Sequence, residues 1–425
     1  MMSQGLSSQK VRRSLPVILL LGSIAWRTFL IYAQNSESTP PILLPTSPDQ
    51  IQYRYDAASG ECRNVAGQKG TNGWLLTSCA DLTSANLKEF DLRGKDLTGT
   101  RLRGADLTGV RLDGAVLRGA DLTQASLVDA NLAGADLNGA VLAEAKLLNS
   151  VLEKADLSGA DLRGAALHHL HLRTTKLTSA NLSKAKLFKV DLNGADLRDV
   201  KLRGADIAWS KLSRANLSGV DLSGGWFDQS ELTGVFLEKA NLEHTKFVQA
   251  DFSDGILMGA RFYKAELSQA KFCRARMEAA DFSEANLVAS DLSNGNLAQA
   301  NLRGANLMNA SLRNSLLQGA DLSGATLYGS DFQKADLRGA NLRDGVVGDV
   351  GETLVFRALD VKFRPANLTG AVFDGDTQLP FDAREAARRK MVGSGMAKSS
   401  ARPTAKGSDP PKKTIKAVPI QIGPN

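Results

Sequence analysis

From residue 82 to residue 347 every fifth position is apolar, running Leu82, Leu87, Leu92, Leu97, Leu102 and on through Leu337, Leu342 and Val347 without a slip of register. Leu fills most of these positions, and Ile207, Phe227, Phe247, Phe252, Phe262, Phe272, Met277, Phe282, Phe332 and Val347 fill the others. Two residues before nearly every core position stands a small residue, usually Ala, as in Ala105-Asp106-Leu107 and Ala305-Asn306-Leu307. The three positions between are mostly Asp, Asn, Ser, Thr, Arg, Lys and Gly, which belong in water. An α-helix repeats its apolar stripe at three and four, and a strand alternates at two, so a spacing of five excludes both as long elements. A short fixed period instead specifies a coil of repeats stacked on one continuous core.

In such a coil the small residue and the core residue two positions later point to the same side of a short extended segment. The chain then bends. Gly at the second position after the core residue, as at Gly94, Gly104, Gly114, Gly119 and Gly134, suits that bend. Backbone groups in the core must be paired, and parallel stacking of each turn on the next does so.

Units beginning at Ala105, Ala120, Ala130, Ala160, Ala300 and Ala335 read Ala-(Asp/Asn)-Leu-X-X and resemble the pentapeptide-repeat family over about two-thirds of the chain. That resemblance implies an all-β fold, a right-handed quadrilateral parallel β-helix with four units per coil. At about 4.8 Å between stacked strands, roughly thirteen coils would extend for about 65 Å. Leu102 would then lie between Leu82 and Leu122, Phe227 under Phe247, and Phe262 under Phe282, as a core ladder. Residues twenty apart on the surface, such as Asp81, Arg101 and Asp121, would form alternating charge columns that pair across strands.

Residues 1–33 read as a signal peptide, or as a membrane anchor: Lys10, Arg12 and Arg13 precede a twelve-residue apolar run, and Ala33 offers a cleavage site. Arg27 interrupts the apolar stretch, which favours cleavage over a permanent span. Residues 34–52 form a Pro/Ser-rich linker. Residues 53–80 differ in composition and read as an N-terminal cap over the open edge of the first coil, with Trp74 and Leu76 against it. In an exported protein a Cys62–Cys79 disulfide would close that cap.

The repeat occupies residues 81–347. It is followed at 348–381 by a loop and a terminal coil one residue out of phase, marked by Phe363, Leu368 and Phe373. Asp382 is placed to N-cap a short C-terminal capping helix over 382–392, with Arg388, Arg389 and Lys390 at its C-terminal end. Residues 393–425 have few large apolar residues and read as a disordered basic tail.

The net charge of +7 belongs to the ends: residues 1–34 carry +4, residues 382–425 carry +7, and the stretch between carries −4. The termini are thus expected to meet a membrane or the cell envelope, and no direct nucleic acid binding is expected. His168, His169 and His171 cluster, but convergent further ligands are not evident, so no metal site and no cofactor are assigned. Cys273, beside Phe272, reads as a surface thiol. Carboxylates recur because Asp is a repeat residue, so they carry no acid–base message, and no nucleophile elbow, phosphate loop or Cys-X-X-Cys pair occurs. The expectation is a non-enzymatic, exported scaffold (periplasmic, luminal or extracellular, or anchored facing outward) that binds an unidentified protein. Two further expectations come from the resemblance alone: a DNA mimic that binds a topoisomerase such as DNA gyrase, and pairing of two rods end to end as a homodimer. The first needs a strongly acidic rod, and this one is nearly neutral.

Overall fold

The computed structural model describes residues 53–56, 61–64, 79–347, 354–356, 361–363, 366–393 and 398–399. The leader at 1–33, the linker at 34–52, Trp74, Leu76 and the lysines of the tail beyond residue 399 lie outside the described residues.

Residues 79–347 wind into a parallel coil whose period is twenty residues. The residue preceding each core position bridges its counterpart one turn later, from Asp81 with Arg101 to Thr326 with Val346. Twenty residues make four five-residue sides. Each side is held to its neighbour by a repeating set of backbone bonds: Leu102 N–H donates to Asp121 C=O at 2.7 Å, and Asp121 N–H to Thr100 C=O at 2.9 Å. Ala105 N–H closes the corner onto Leu102 C=O at 3.0 Å. The core positions from Leu82 to Leu342 are buried, as are nearly all the small residues before them. Each buried Leu contributes about 2 kcal/mol relative to exposure.

The corners explain the composition. The second residue after each core position adopts a left-handed backbone, at φ 64° for Gly134 and also at φ 59° for Gln124 and φ 60° for Trp209. Between residues 84 and 344 only Thr174 and Asp199 depart from this conformation. Thr174 is also the one β-branched residue at any of these corners. Branching at Cβ raises the cost of the left-handed region, which is about 1–2 kcal/mol even for an unbranched residue.

The ladder opens beside these two corners. Val151 and His171, Lys176 and Asp196, and Lys201 and Asp221 form no bridge, although their counterparts in the coils before and after do. At the first opening neither Leu152 N–H to His171 C=O nor His171 N–H to Ser150 C=O is made among the described residues. The openings step around the coil by one side and one turn each time, so they trace a diagonal seam. Leu170, 1% exposed, fills a slot that Ala occupies in most units.

Two short antiparallel pairs flank the coil. Strand β1 (Tyr53–Asp56) pairs with β2 (Glu61–Asn64), and β3 (Leu354–Phe356) with β4 (Val361–Phe363). Phe363, expected to restart the coil, instead pairs with Leu354 in the second of these. The coil restarts at Ala366, whose N–H reaches Val347 C=O at 2.9 Å, and Asn367 bridges Asp331. Ala366-Asn367-Leu368 repeats the Ala-Asn-Leu unit of the coil.

Strands β5 (Val372–Phe373) and β6 (Gln378–Leu379) form two sides of the next turn. Helix α1 (Ala383–Arg388) follows, shorter than the 382–392 expected. Asp382 accepts a bond from Glu385 N–H at 2.9 Å, and Lys390 turns left-handed at φ 57°. The chain then rejoins the stack: β7 (Val392–Gly393) pairs with β5 and β8 (Lys398–Ser399) with β6, each twenty residues on. The expected tail therefore begins with ladder strands, because the last turn otherwise leaves its backbone edge unpaired.

Candidate interaction face

Residues at the first place after each core position point outward and define the character of each side. On three sides they include arginines: Arg163, Arg203 and Arg303 on one, Arg93, Arg173 and Arg313 on another, Arg118, Arg198 and Arg338 on the third. Many are clamped to a carboxylate two residues back. Arg163 meets Asp161 at 2.7 Å, Arg198 meets Asp196 at 2.7 Å, and Arg338 meets Asp336 at 2.6 Å. These hydrogen-bonded guanidinium groups hold the Asp161, Asp196 and Asp336 carboxyls below the usual range, and beside Arg93 that of Asp91 falls to about 2. Other pairs join successive turns, such as Arg274 with Asp254 at 2.7 Å and Lys176 with Asp156 at 3.3 Å. Exposed pairs of this kind contribute little to stability, but they leave these sides self-neutralised.

The fourth side is different. From residue 86 to residue 346 it carries no arginine, and its corresponding positions include Leu148, Phe188, Val248, Val288, Met308 and Tyr328. Its middle is aromatic. Trp209 stands at a corner, 50% exposed, and Trp226 on the strand of the following turn, 47% exposed. The Trp226 indole N–H donates to Asp228 Oδ2 at 2.5 Å, and Asp228 Oδ1 accepts from Val248 N–H at 2.7 Å. Burial pushes the Asp228 carboxyl up from its ordinary value against these bonds. Lys246 sits 5.0 Å from the Trp226 ring centroid and Lys189 5.2 Å from that of Phe188. Each amino group thus lies over the electron-rich face of a ring, where cation–π attraction holds it. The Trp226 ring is therefore pinned by a hydrogen bond and a cation before any partner arrives, which lowers the entropy lost on binding.

The residues singled out from sequence fall in separate places. Leu82, Leu102 and Leu122 are core. Phe227 and Phe247 stack at 4.7 Å between centroids, as do Phe262 and Phe282, while Phe252 and Phe272 stack at 4.8 Å. Gly225 makes room for this block, since a Cβ there would lie 2.7 Å from Phe227 Cε2. Cys79 is disulfide-bonded and Cys273 is free. The side chain of Cys62 lies outside the described residues. The Cys273 thiol is pushed up by burial and by a contact of 3.1 Å with Asp291 Oδ2, so it is a poor nucleophile.

His168 and His169 pack edge-on against Phe188 at 6.3 and 6.0 Å, on the aromatic side, and His171 lies around the next corner. Burial lowers the His168 pKa from its ordinary value. Among the described residues no group of three or more His, Cys, Asp or Glu is arranged to hold a metal ion, and no helix is long and apolar enough to cross a membrane. Sequence reasoning missed the fourth side because it followed the period of five. Sorting the same residues by twenty separates the sides, and the missing arginines then stand out.

A parallel coil of stacked twenty-residue turns, here with one arginine-free aromatic side, defines a repeat solenoid. The family profile "Pentapeptide repeats" matches in eight copies over more than half of the chain, within residues 80–119, 115–153, 155–194, 180–219, 215–254, 280–315 and 305–344. The chain belongs to that family. No curated protein matches the chain. Solved structures do. HetL, a pentapeptide repeat protein involved in heterocyst differentiation regulation from the cyanobacterium Nostoc sp. strain PCC 7120, is 29% identical, over 64% of this chain and 92% of its own, with a TM-score of 0.24. A pentapeptide repeat protein from the Arabidopsis thaliana thylakoid lumen is 36% identical over 22% of this chain and 66% of its own, with a TM-score of 0.22. QnrB1, a plasmid-mediated fluoroquinolone resistance protein, is 21% identical over 43% of this chain and 92% of its own, with a TM-score of 0.29. All three TM-scores are low, so the family assignment rests on the repeat itself.

Proposed function

We propose that this protein is a non-enzymatic interaction scaffold that binds a protein partner along the arginine-free side, with Trp209 and Trp226 as anchors. The observation that carries this reading is the pair of exposed Trp with half-buried Phe, Val, Met and Tyr on the arginine-free side, whereas the exposed Val151, Phe236 and Leu316 stand on sides that carry arginine–aspartate pairs. Buried interface centres are depleted in charge and enriched in aromatic residues and Met, and Trp is prominent among the residues whose truncation costs most. Lys186, Lys189 and Lys246 around the two indoles favour a partner with carboxylates bordering an apolar stripe.

The rest of the chain serves this role. A Cys62–Cys79 disulfide, supported by Cys79 being bonded while Cys273 is free, staples the first turn in an exported protein. Helix α1, with Ala386 buried, covers the last complete turn. Mass determination of the mature N-terminus tests the export, and a start near Gln34 is expected.

The partner test uses a photo-crosslinking residue at position 209 and, separately, at position 303 on a clamped side, in cells that make the protein. The expected result is a discrete crosslinked species from position 209, absent from position 303 and lost when Trp226 is changed to Ala. Equal labelling from both positions contradicts the reading.

A further inference from the structure

Beside the first opening of the ladder, on a side other than the aromatic one, lies an open cleft of about 450 Å³ lined by Glu153, His171, Arg173, Thr174, Asn193 and Gly194. Glu153 and Arg173 are twenty residues apart, the spacing at which Arg274 pairs with Asp254 and Lys176 with Asp156. Here no such pair forms, and Glu153 Oε2 is buried with no hydrogen-bond partner among the described residues. A buried, unpartnered carboxylate oxygen is costly. Arg173, its counterpart one turn on, does not neutralise it, and both residues line the cleft.

Three classes of small ligand could enter. A simple cation would satisfy Glu153 and be repelled by Arg173. A simple anion would reach Arg173 and be repelled by Glu153. A molecule with a positive and a negative group a few bonds apart satisfies both at once, and the guanidinium takes a carboxylate in a two-bond fork. The amide of Asn193, whose Oδ1 already accepts from Ser213 N–H at 2.8 Å, and the imidazole of His171 also line the cleft and add N–H donors for a carboxylate. We propose that this cleft binds a free α-amino acid, its ammonium on Glu153 and its carboxylate on Arg173, wedged in the opened seam.

The test is ligand-observed NMR on the full-length protein with each of the twenty standard amino acids. At least one is expected to bind. Its N-acetyl and methyl-ester derivatives, each lacking one charge, should bind at least about tenfold more weakly, since each loses a charge-assisted hydrogen-bonded contact. Glu153→Gln and Arg173→Gln should each weaken binding by a similar factor. Thr174→Gly, which allows the corner to close, should weaken it as well. The proposal is overturned if no amino acid binds at millimolar concentration. It is equally overturned if a bound one tolerates loss of either charge, or if binding survives both Glu153→Gln and Arg173→Gln. Melting curves of the variants confirm that the coil is intact.

Discussion

The turns carrying Phe227 to Phe282 and the turns carrying Val151 to Asp199 obey one repeat and behave differently. In the first, three stacked Phe pairs lie with interplanar angles of 22°, 1° and 5°, and every ladder position is bridged. In the second, the core column is unbroken Leu, yet the ladder opens at Val151–His171 and Lys176–Asp196, and once more just beyond at Lys201–Asp221. Filling the core column is therefore not enough to close a turn. Closure also goes with corners that turn left-handed. Every corner from Gln229 to Glu284 does so, and Gly225 and Gly255 leave room beside Phe227 and Leu257, whereas Thr174 and Asp199 do not turn left-handed.

The largest expected contrast comes from the closed turns. Phe262→Ala should destabilise by about 3–5 kcal/mol, because Phe282 stacked on it and Phe247, Phe252 and Phe272 edge-on around it cannot collapse into the space. Urea unfolding followed by circular dichroism reads the shift. A loss under about 1 kcal/mol would mean that the aromatic block is loosely packed.

Relief of the seam should be smaller and opposite in sign. Thr174→Gly removes the branched Cβ from a corner whose counterparts are left-handed, and a gain of about 1 kcal/mol is expected. The same change at Gly-compatible corners elsewhere, such as Gln124→Gly, should give less, since Gln124 already adopts the conformation. Equal gains at both sites would detach the seam from the Thr174 corner.

The smallest effect is on pH. The His168 pKa is lowered from 6.5 by burial, so the unfolded chain binds its proton first as pH falls. Below 6.5 the unfolded state then holds more protons than the native one, and stability should decline with acidification, the decline levelling off once the folded histidine also protonates. Thermal melts between neutral pH and about pH 5 should show a dependence that His168→Gln diminishes. An unchanged dependence in the variant would assign it elsewhere.

Most of the fold was legible because its cause is local and repeated: a Leu every five residues, Ala before it, Gly or a tolerant polar residue at the corner. The aromatic stacks and the charge columns followed from the twenty-residue turn. The restart of the coil was not, since Phe363 fits the spacing but is taken up in a strand pair with Leu354, and the Ala-Asn-Leu unit resumes only at Ala366. Nor was the return of the chain after α1, because pairing of an exposed edge depends on what has already folded beneath it. The seam had a sequence trace in Thr174 and Leu170 that a search for the core column passes over. The aromatic side had one in its lack of arginine.

Amide hydrogen exchange resolved to single residues tests the contrast between closed and open turns most directly. Leu152, His171, Leu177, Asp196, Leu202 and Asp221 lack the ladder bonds that Phe252, Lys271, Phe262 and Asp281 make at 2.6–2.9 Å. The first six are expected to exchange faster than the last four, under conditions where the whole coil stays folded. Uniform protection across both groups would show that the ladder is closed throughout, and would remove the seam and the cleft with it.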